Sequence, residues 1–445
     1  MPVVARNTNR SWGMSAGCRI AAALLSVVTF LSTASAQLDG IPREEVSPAC
    51  LKEVLEEQEL TRSLRQIRQP LPHITAEESV QIRKDYSNLL YSGYSSAADT
   101  KTVRTYLEYQ ILQITDPEFA AIPSNGHQLL KEIQSDVQKA GSRIGNASNQ
   151  LTMRRQFCTD ILNVCRKLLD NSFDARITAV SIMKYLQETR PVTGGAAARL
   201  HQDALSELIS VLNSGEQPDS VKVFAASSLR FVLRNCDLIE TEQFRISDAV
   251  YKELQRPCSQ SAFQQTLLET LMEIDRPRRT VGGSDPTSMK AFVMVLSDRT
   301  RPVEVRCLAA QGVGRGAFDT QMNLSVISWK IAQLAGDVAR EFNRAPGDPK
   351  WPACGAALIF AYRHFTDEET QGTLLERKGL SNRAGDNPPA AIADAAPLVQ
   401  MVGVRLVRNS TTFTIQELTP LANWIEGNKP ANPRWDNGQP PIPVD

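Results

Sequence analysis

One signature recurs four times along this chain at nearly one interval, and it limits the possible folds more than any other feature. It reads Asp174-Ala-Arg176-Ile-Thr-Ala179, then Val221-Lys222-Val-Phe-Ala225, Phe263-Gln264-Gln-Thr-Leu267 and Val305-Arg306-Cys-Leu-Ala309. The slot held by Arg176 is refilled by Lys222, Gln264 and Arg306 in steps of 46, 42 and 42, and Leu212, Leu254 and Leu296 keep the same pace ten residues upstream. A fixed period of this length predicts stacked helix pairs, an α-solenoid. One pair alone leaves an apolar face in water, and the next pair covers it.

Around this register the chain divides into segments. Residues 37–150 read as irregular helices, with Thr75-Ala-Glu-Glu78 as a capping box opening one of them. Val103-Arg104 with Leu107 resembles the repeat signature out of register, as in a divergent cap. Residues 151–366 are the array, with first helices expected at 153–169, 199–212, 247–254 and 287–296 and second helices starting at the signature. Small residues at Ala179, Ala225 and Ala309 predict close helix approach. A fifth, longer pair spans 325–360, with Pro346 to Pro352 as its turn and Trp351 inside it. Residues 367–429 read as a Gly/Asn/Pro/Ala-rich linker, extended as far as Pro397, and C-terminal helices. Within them 398–407 is ambiguous between helix and strand, and 416–427 is a clearer helix. The tail, 430–445, is proline-rich and cannot continue a helix.

The first 36 residues read as a secretory signal. Arg6, Arg10 and Arg19 precede or open an apolar stretch from Ile20 to Leu31, and small residues then place cleavage between Ala36 and Gln37. Ser15 to Cys18 resembles a lipoprotein box but precedes the apolar stretch, so a lipid anchor is not expected. Nothing later in the chain reads as long enough to span a bilayer. Removing the leader takes three arginines and no acid from a chain with no formal net charge, which argues against nucleic acid or an anionic membrane as partner. The seven remaining cysteines, odd in number and scattered, do not read as a disulfide framework. Cys158 and Cys165 share a helix face but lie too far apart to pair. Cys307 and Cys354 fall at equivalent places in successive pairs and read as small buried residues.

The helix-turn-helix length, an Asp before or in the turn (Asp174, Asp219), and Val-Arg or its equivalent followed by Ala resemble HEAT repeats of the bacterial HEAT-like kind. The resemblance covers about half the chain. The third unit departs from it, with Gln264 in the basic slot and Leu267 in place of Ala. The resemblance implies an all-α, right-handed superhelix of paired helices whose usual work is binding proteins or peptides.

No H-E-x-x-H, C-x-x-C, G-x-S-x-G or phosphate-loop motif is present, and the four histidines, 73, 127, 201 and 364, lie far apart. Gly312-Val-Gly314-Arg-Gly316 lacks the strand and the last glycine of a dinucleotide loop and reads as close helix packing. Arg276-Pro-Arg-Arg279 reads as a solvated turn. Asn146, Asn323 and Asn409 lie in N-x-S/T sequons. The expectation is a secreted or periplasmic, non-catalytic interaction scaffold with a protein or peptide partner, no cofactor, no metal site and no catalytic residue. Its partner face would be the concave surface built by the second helices. Candidate binding residues are Arg176, Lys222, Arg306 and Trp351, with the slot cations read first as a ladder tied to Asp174 and Asp219. The alternatives are a secreted α/α-toroid polysaccharide lyase or glycosidase, and a structural cell-envelope protein tethered by its tail.

Overall fold

A computed structural model describes residues 48–67, 70–190, 197–256, 258–274, 285–316, 318–363, 379–383, 389–408 and 411–444. The leader, the cleavage position at Ala36 and Gln37, the 276–279 turn, His364, most of the linker and the Asn409 sequon lie outside these residues. The chain forms two units, 1–55 and 56–445. Of the first, only the beginning of helix α1 (Pro48–Gln66) is described. All regular structure among the described residues is helical.

In the second unit, α2 (Ala76–Ser92) starts at the expected capping box. The Thr75 hydroxyl accepts from the Glu78 amide at 3.2 Å, and the Glu78 carboxylate accepts from the Thr75 amide at 2.8 Å. Helix α3 (Ala97–Leu112) packs on α2, and both precede the short α4 (Pro117–Ala120) and α5 (Pro123–Lys139). The pairs follow: α6 (Ala147–Leu168) with α7 (Phe173–Met183), α8 (Gln202–Asn213) with α9 (Asp219–Asn235), α10 (Glu240–Leu254) with α11 (Ser261–Leu271), α12 (Thr287–Ser297) with α13 (Val303–Arg315), and α14 (Leu324–Arg344) with α15 (Trp351–Tyr362). After α16 (Leu380–Arg383) come α17 (Ala390–Val407) and α18 (Ile415–Gly427).

The pairs stack in two rows. Each second helix touches the next, from α7 through α9, α11, α13 and α15 to α17; each first helix from α8 touches the next through α10 and α12 to α14. The apolar register fills the space between the rows: Leu212, Leu254 and Leu296 are fully buried, as are Ala179, Ala225, Leu267 and Ala309. Where successive second helices come closest, only hydrogen fits on the α-carbon. A methyl group at Gly314 would lie 2.1 Å from the Ala361 carbonyl oxygen, and one at Gly403 would lie 2.8 Å from that of Gly355. The glycine-rich stretch is therefore helix packing, as expected.

Three expectations change, and of the two readings open for the tail, docked strap or disorder, the strap is the one found. The 398–407 ambiguity resolves as helix, and that helix begins at Ala390, inside the stretch expected to be extended; Pro397 sits within it. Contrary to the expectation that no later stretch is long enough, this helix of 18 residues is by length and composition apolar enough to cross a bilayer. Here α17 packs against α14, α15 and α18 instead. The proline-rich tail docks as a strap: Trp435 and Ile442 are buried, the Asn323 amide donates to the Trp435 carbonyl at 2.7 Å, and Lys330 Nζ donates to the Pro443 carbonyl at 2.9 Å. Finally, Cys258 is disulfide-bonded, contrary to the count-based reading, while Cys158, Cys165, Cys236, Cys307 and Cys354 are free and buried. Asn146 and Asn323 of the sequons cap α6 and α14, each side-chain oxygen accepting two backbone amides.

Candidate functional site

The slot residues come first because the repeat singles them out. All three cations are buried and bonded within the array. Arg176 donates to the Asn171 carbonyl at 2.8 Å and to Gln217 Oε1 at 2.9 Å, and Gln217 donates in turn to the Leu169 carbonyl. Lys222 meets Glu253 of the next first helix at 3.0 Å, and Arg306 meets Asp337 of α14 at 3.1 Å. Arg104, in the out-of-register signature, makes the same kind of bond forward, to Asp160 of α6 at 2.8 Å. A ladder is therefore present, but Glu253, Asp337 and Gln217 are its partners, and Asp219 pairs with Arg256 at 3.0 Å.

Gln264 explains itself in this frame. Its amide donates to the Ser259 carbonyl at 2.7 Å, as Arg176 does to Asn171, while its Oε1 accepts from Arg301 at 2.7 Å. In the first unit the slot is Arg and the next turn supplies Gln; in the third the slot is Gln and the next turn supplies Arg. Donor and acceptor have exchanged places across one contact. Trp351 is also internal: it is 1% exposed, opens α15, donates Nε1 to the Ala345 carbonyl at 2.6 Å and packs edge-on against Phe342. None of the four candidate residues thus faces an open surface. Between α9 and the end of α11 the polar groups also satisfy one another, with Arg230 bridging Glu269 and Glu273, and Arg234 reaching Glu273 at 2.7 Å.

A buried charge cluster joins α1 to the array within the second unit. The Glu57 carboxylate accepts from the Asp219 amide at 2.7 Å. Arg256 bridges Asp219 and Glu253, and Lys222 shares Glu253. Burial foremost, then the Asp219 charge, raises the Glu57 carboxyl from its ordinary 4.5 to about 7.

Two clefts stand out among the described residues. The first, of about 490 Å³, lies between α14 and α18. Trp329, Gln333, Gly336 and Arg340 line it at helical spacing from one side, and Ile415, Leu418, Ala422 and Ile425 from the other. The helix α18 is held in place by Arg405 with Glu417, by reciprocal bonds between Asn343 and the Phe413 backbone, and by Trp329 Nε1 donating to the Ile425 carbonyl. The floor is apolar, the rim carries Arg299, Arg340, Lys429 and Glu426, and Ile415 stands 84% exposed at its edge. The second cleft, of about 310 Å³, is polar and lies among α2, α3 and α5. Tyr86 and Tyr106 stack at 4.2 Å on its floor, and the Tyr86 hydroxyl donates to Asp136 at 2.7 Å. Burial raises the Asp136 carboxyl, an effect only partly offset by that hydroxyl and by Lys139.

Sequence reasoning missed both clefts. The first depends on α18 folding back on α14, which no local pattern reports. The second draws on three helices whose polar residues look like ordinary solvated faces. Compared with family models, curated proteins and solved structures, the chain matches none.

Proposed function

We propose that this chain is an exported, non-catalytic interaction scaffold, a right-handed HEAT-like α-solenoid. It receives an amphipathic, acidic peptide segment of a partner protein in the groove between α14 and α18. The observation that carries this reading is the contrast between the two kinds of candidate surface. The repeat cations and Trp351 are consumed by the array, whereas the α14/α18 groove presents an apolar floor whose rim carries Lys429 together with Arg299 and Arg340, the two arginines sharing Asp337 with the array. Apolar residues of a partner helix or strand would bury against Leu418, Ala422 and Ile425, and its acids would meet Arg299, Arg340 and Lys429. Export is supported by the leader-like first 36 residues and by the disulfide at Cys258, which an oxidising compartment favours.

The test is site-specific photocrosslinking in the producing cell. A crosslinker at Ile415 or Leu418 is expected to give discrete protein adducts that Leu418→Glu abolishes without lowering the melting temperature. A crosslinker at the exposed Lys101 is expected to give none. Adducts of equal yield from all positions, or from none, would remove the groove as the partner face.

A further inference from the structure

The polar cleft among α2, α3 and α5 is built for a ligand of a different kind. Among its lining residues is Gln110, 7% exposed, whose buried Oε1 has no hydrogen-bond partner. The amide nitrogen of the same side chain donates to Glu132 at 3.3 Å, so the orphan atom is the carbonyl oxygen, and it requires a donor. Gln128 also donates to Glu132, at 2.8 Å, and fixes that carboxylate at the rim. Asp136, bonded to Tyr86, supplies a further acceptor. Around these acceptors stand Arg83, Lys131 and Lys139, all exposed and none with an ion pair or side-chain hydrogen bond among the described residues.

A ligand that satisfies the cleft therefore carries negative charge for the cationic excess, foremost at Arg83 and Lys131, and several O–H donors for the amide and carboxylate oxygens. A neutral sugar leaves the excess of three cations over the two carboxylates unanswered. An amino acid supplies one ammonium for acceptors spread over two helices. We infer that this cleft is a binding site for an acidic saccharide, a hexuronate either free or at the end of a polysaccharide. In this pose the ring lies over the tyrosine floor, one hydroxyl donates to Gln110 Oε1, and the carboxylate faces Arg83 and Lys131. The volume of about 310 Å³ suits one or two sugar rings. This inference stands independently of the α14/α18 groove, and either reading can fail without the other.

The experiment is calorimetric titration of the full chain with D-galacturonate, D-glucuronate, a galacturonate trimer, D-galactose and L-glutamate. Uronates are expected to bind saturably, with a dissociation constant on the order of 1 mM for a monomer, weakening as salt is added. Galactose and glutamate are expected to bind at least about tenfold more weakly. Tighter binding of the trimer assigns the site to a polysaccharide end, and equal binding assigns it to the free sugar. The double variant Arg83→Gln, Lys131→Gln touches only exposed side chains and is expected to weaken uronate binding about tenfold and to remove its salt dependence. Gln110→Met should weaken it by a similar factor; the surface variant decides the matter if the buried one fails to fold. Absence of saturable uronate binding up to about 10 mM by a folded chain overturns the inference. So does glutamate or galactose binding as tightly as the uronates.

Discussion

At the residue scale the repeat is a hydrogen-bond frame with interchangeable chemistry. What recurs is a polar link that joins one slot to the next turn or next first helix. Arg176 with Gln217 and Gln264 with Arg301 are the same link written in opposite directions. Both Gln264 and Arg301 are buried, at 0% and 5% exposure. Gln264→Arg, which looks like a return to consensus, therefore places two guanidinium groups together inside the array. It is expected to lower stability by about 3 kcal/mol or more. Adding Arg301→Gln re-creates the arrangement of the first unit and is expected to recover most of that loss. Urea unfolding of the two single variants and the double variant measures the coupling; additive losses would show that the two side chains do not form one link.

The Glu57 cluster gives a pH prediction at the same scale. A carboxyl whose folded pKa is about 7, against an ordinary 4.5, is more easily kept neutral in the folded state. Below pH 4.5 it is protonated folded and unfolded and contributes nothing to the difference. As pH rises through 7 its ionisation is resisted only in the folded chain, so stability falls, by at most about 3 kcal/mol from this group. Between about pH 5 and pH 8 the native chain should therefore lose stability with rising pH. Glu57→Gln, which keeps an acceptor for the Asp219 amide, should flatten that slope. Thermal unfolding of both proteins across this window checks it, and parallel slopes would contradict it.

At the scale of elements, helix crossings are set by residues with no side chain. The α13·α15 contact brings Gly314 against the Ala361 carbonyl, where a real Cβ has no room because the obstacle is backbone. Gly314→Ala is expected to cost about 1–3 kcal/mol despite its favourable helix propensity. Calorimetric unfolding measures the shift, and an unchanged or raised melting temperature would contradict the tight crossing. Much of this level was legible in the sequence. The period, the leucine register, the small residues and the Thr75 capping box each act locally or at a fixed spacing, and each appears where expected. The limits of legibility were equally physical. Pro397 lies within α17, so a reading that treats proline as a stop divides one helix into a linker and a fragment. The bonded partners of the slots could not be read because they come from the next pair, about 30 to 40 residues away. The two clefts were invisible for the same reason, since α2 with α5 and α14 with α18 meet only in three dimensions.

At the scale of the whole molecule, the proposed scaffold depends on helix pairs that continue one another rather than closing on themselves. The second-helix row runs from α7 to α17 in five steps. With packed helices 8–10 Å apart, that row extends roughly 40–50 Å along its length. An open array keeps its ends separated and leaves the work of recognition to the α14/α18 groove and the α2/α3/α5 cleft. A closed α/α toroid, the architecture of the lyase alternative, brings first and last pairs side by side around a central cavity. The two differ in a single distance. Spin labels introduced through unnatural residues at the exposed positions Asp174 on α7 and Ala393 on α17 leave the buried thiols untouched. Pulsed electron-electron resonance is predicted to give one distance distribution centred at or above roughly 30 Å, allowing for curvature of the row. A distribution centred near the roughly 10 Å of adjacent helices would contradict the open scaffold and return the closed ring to first place.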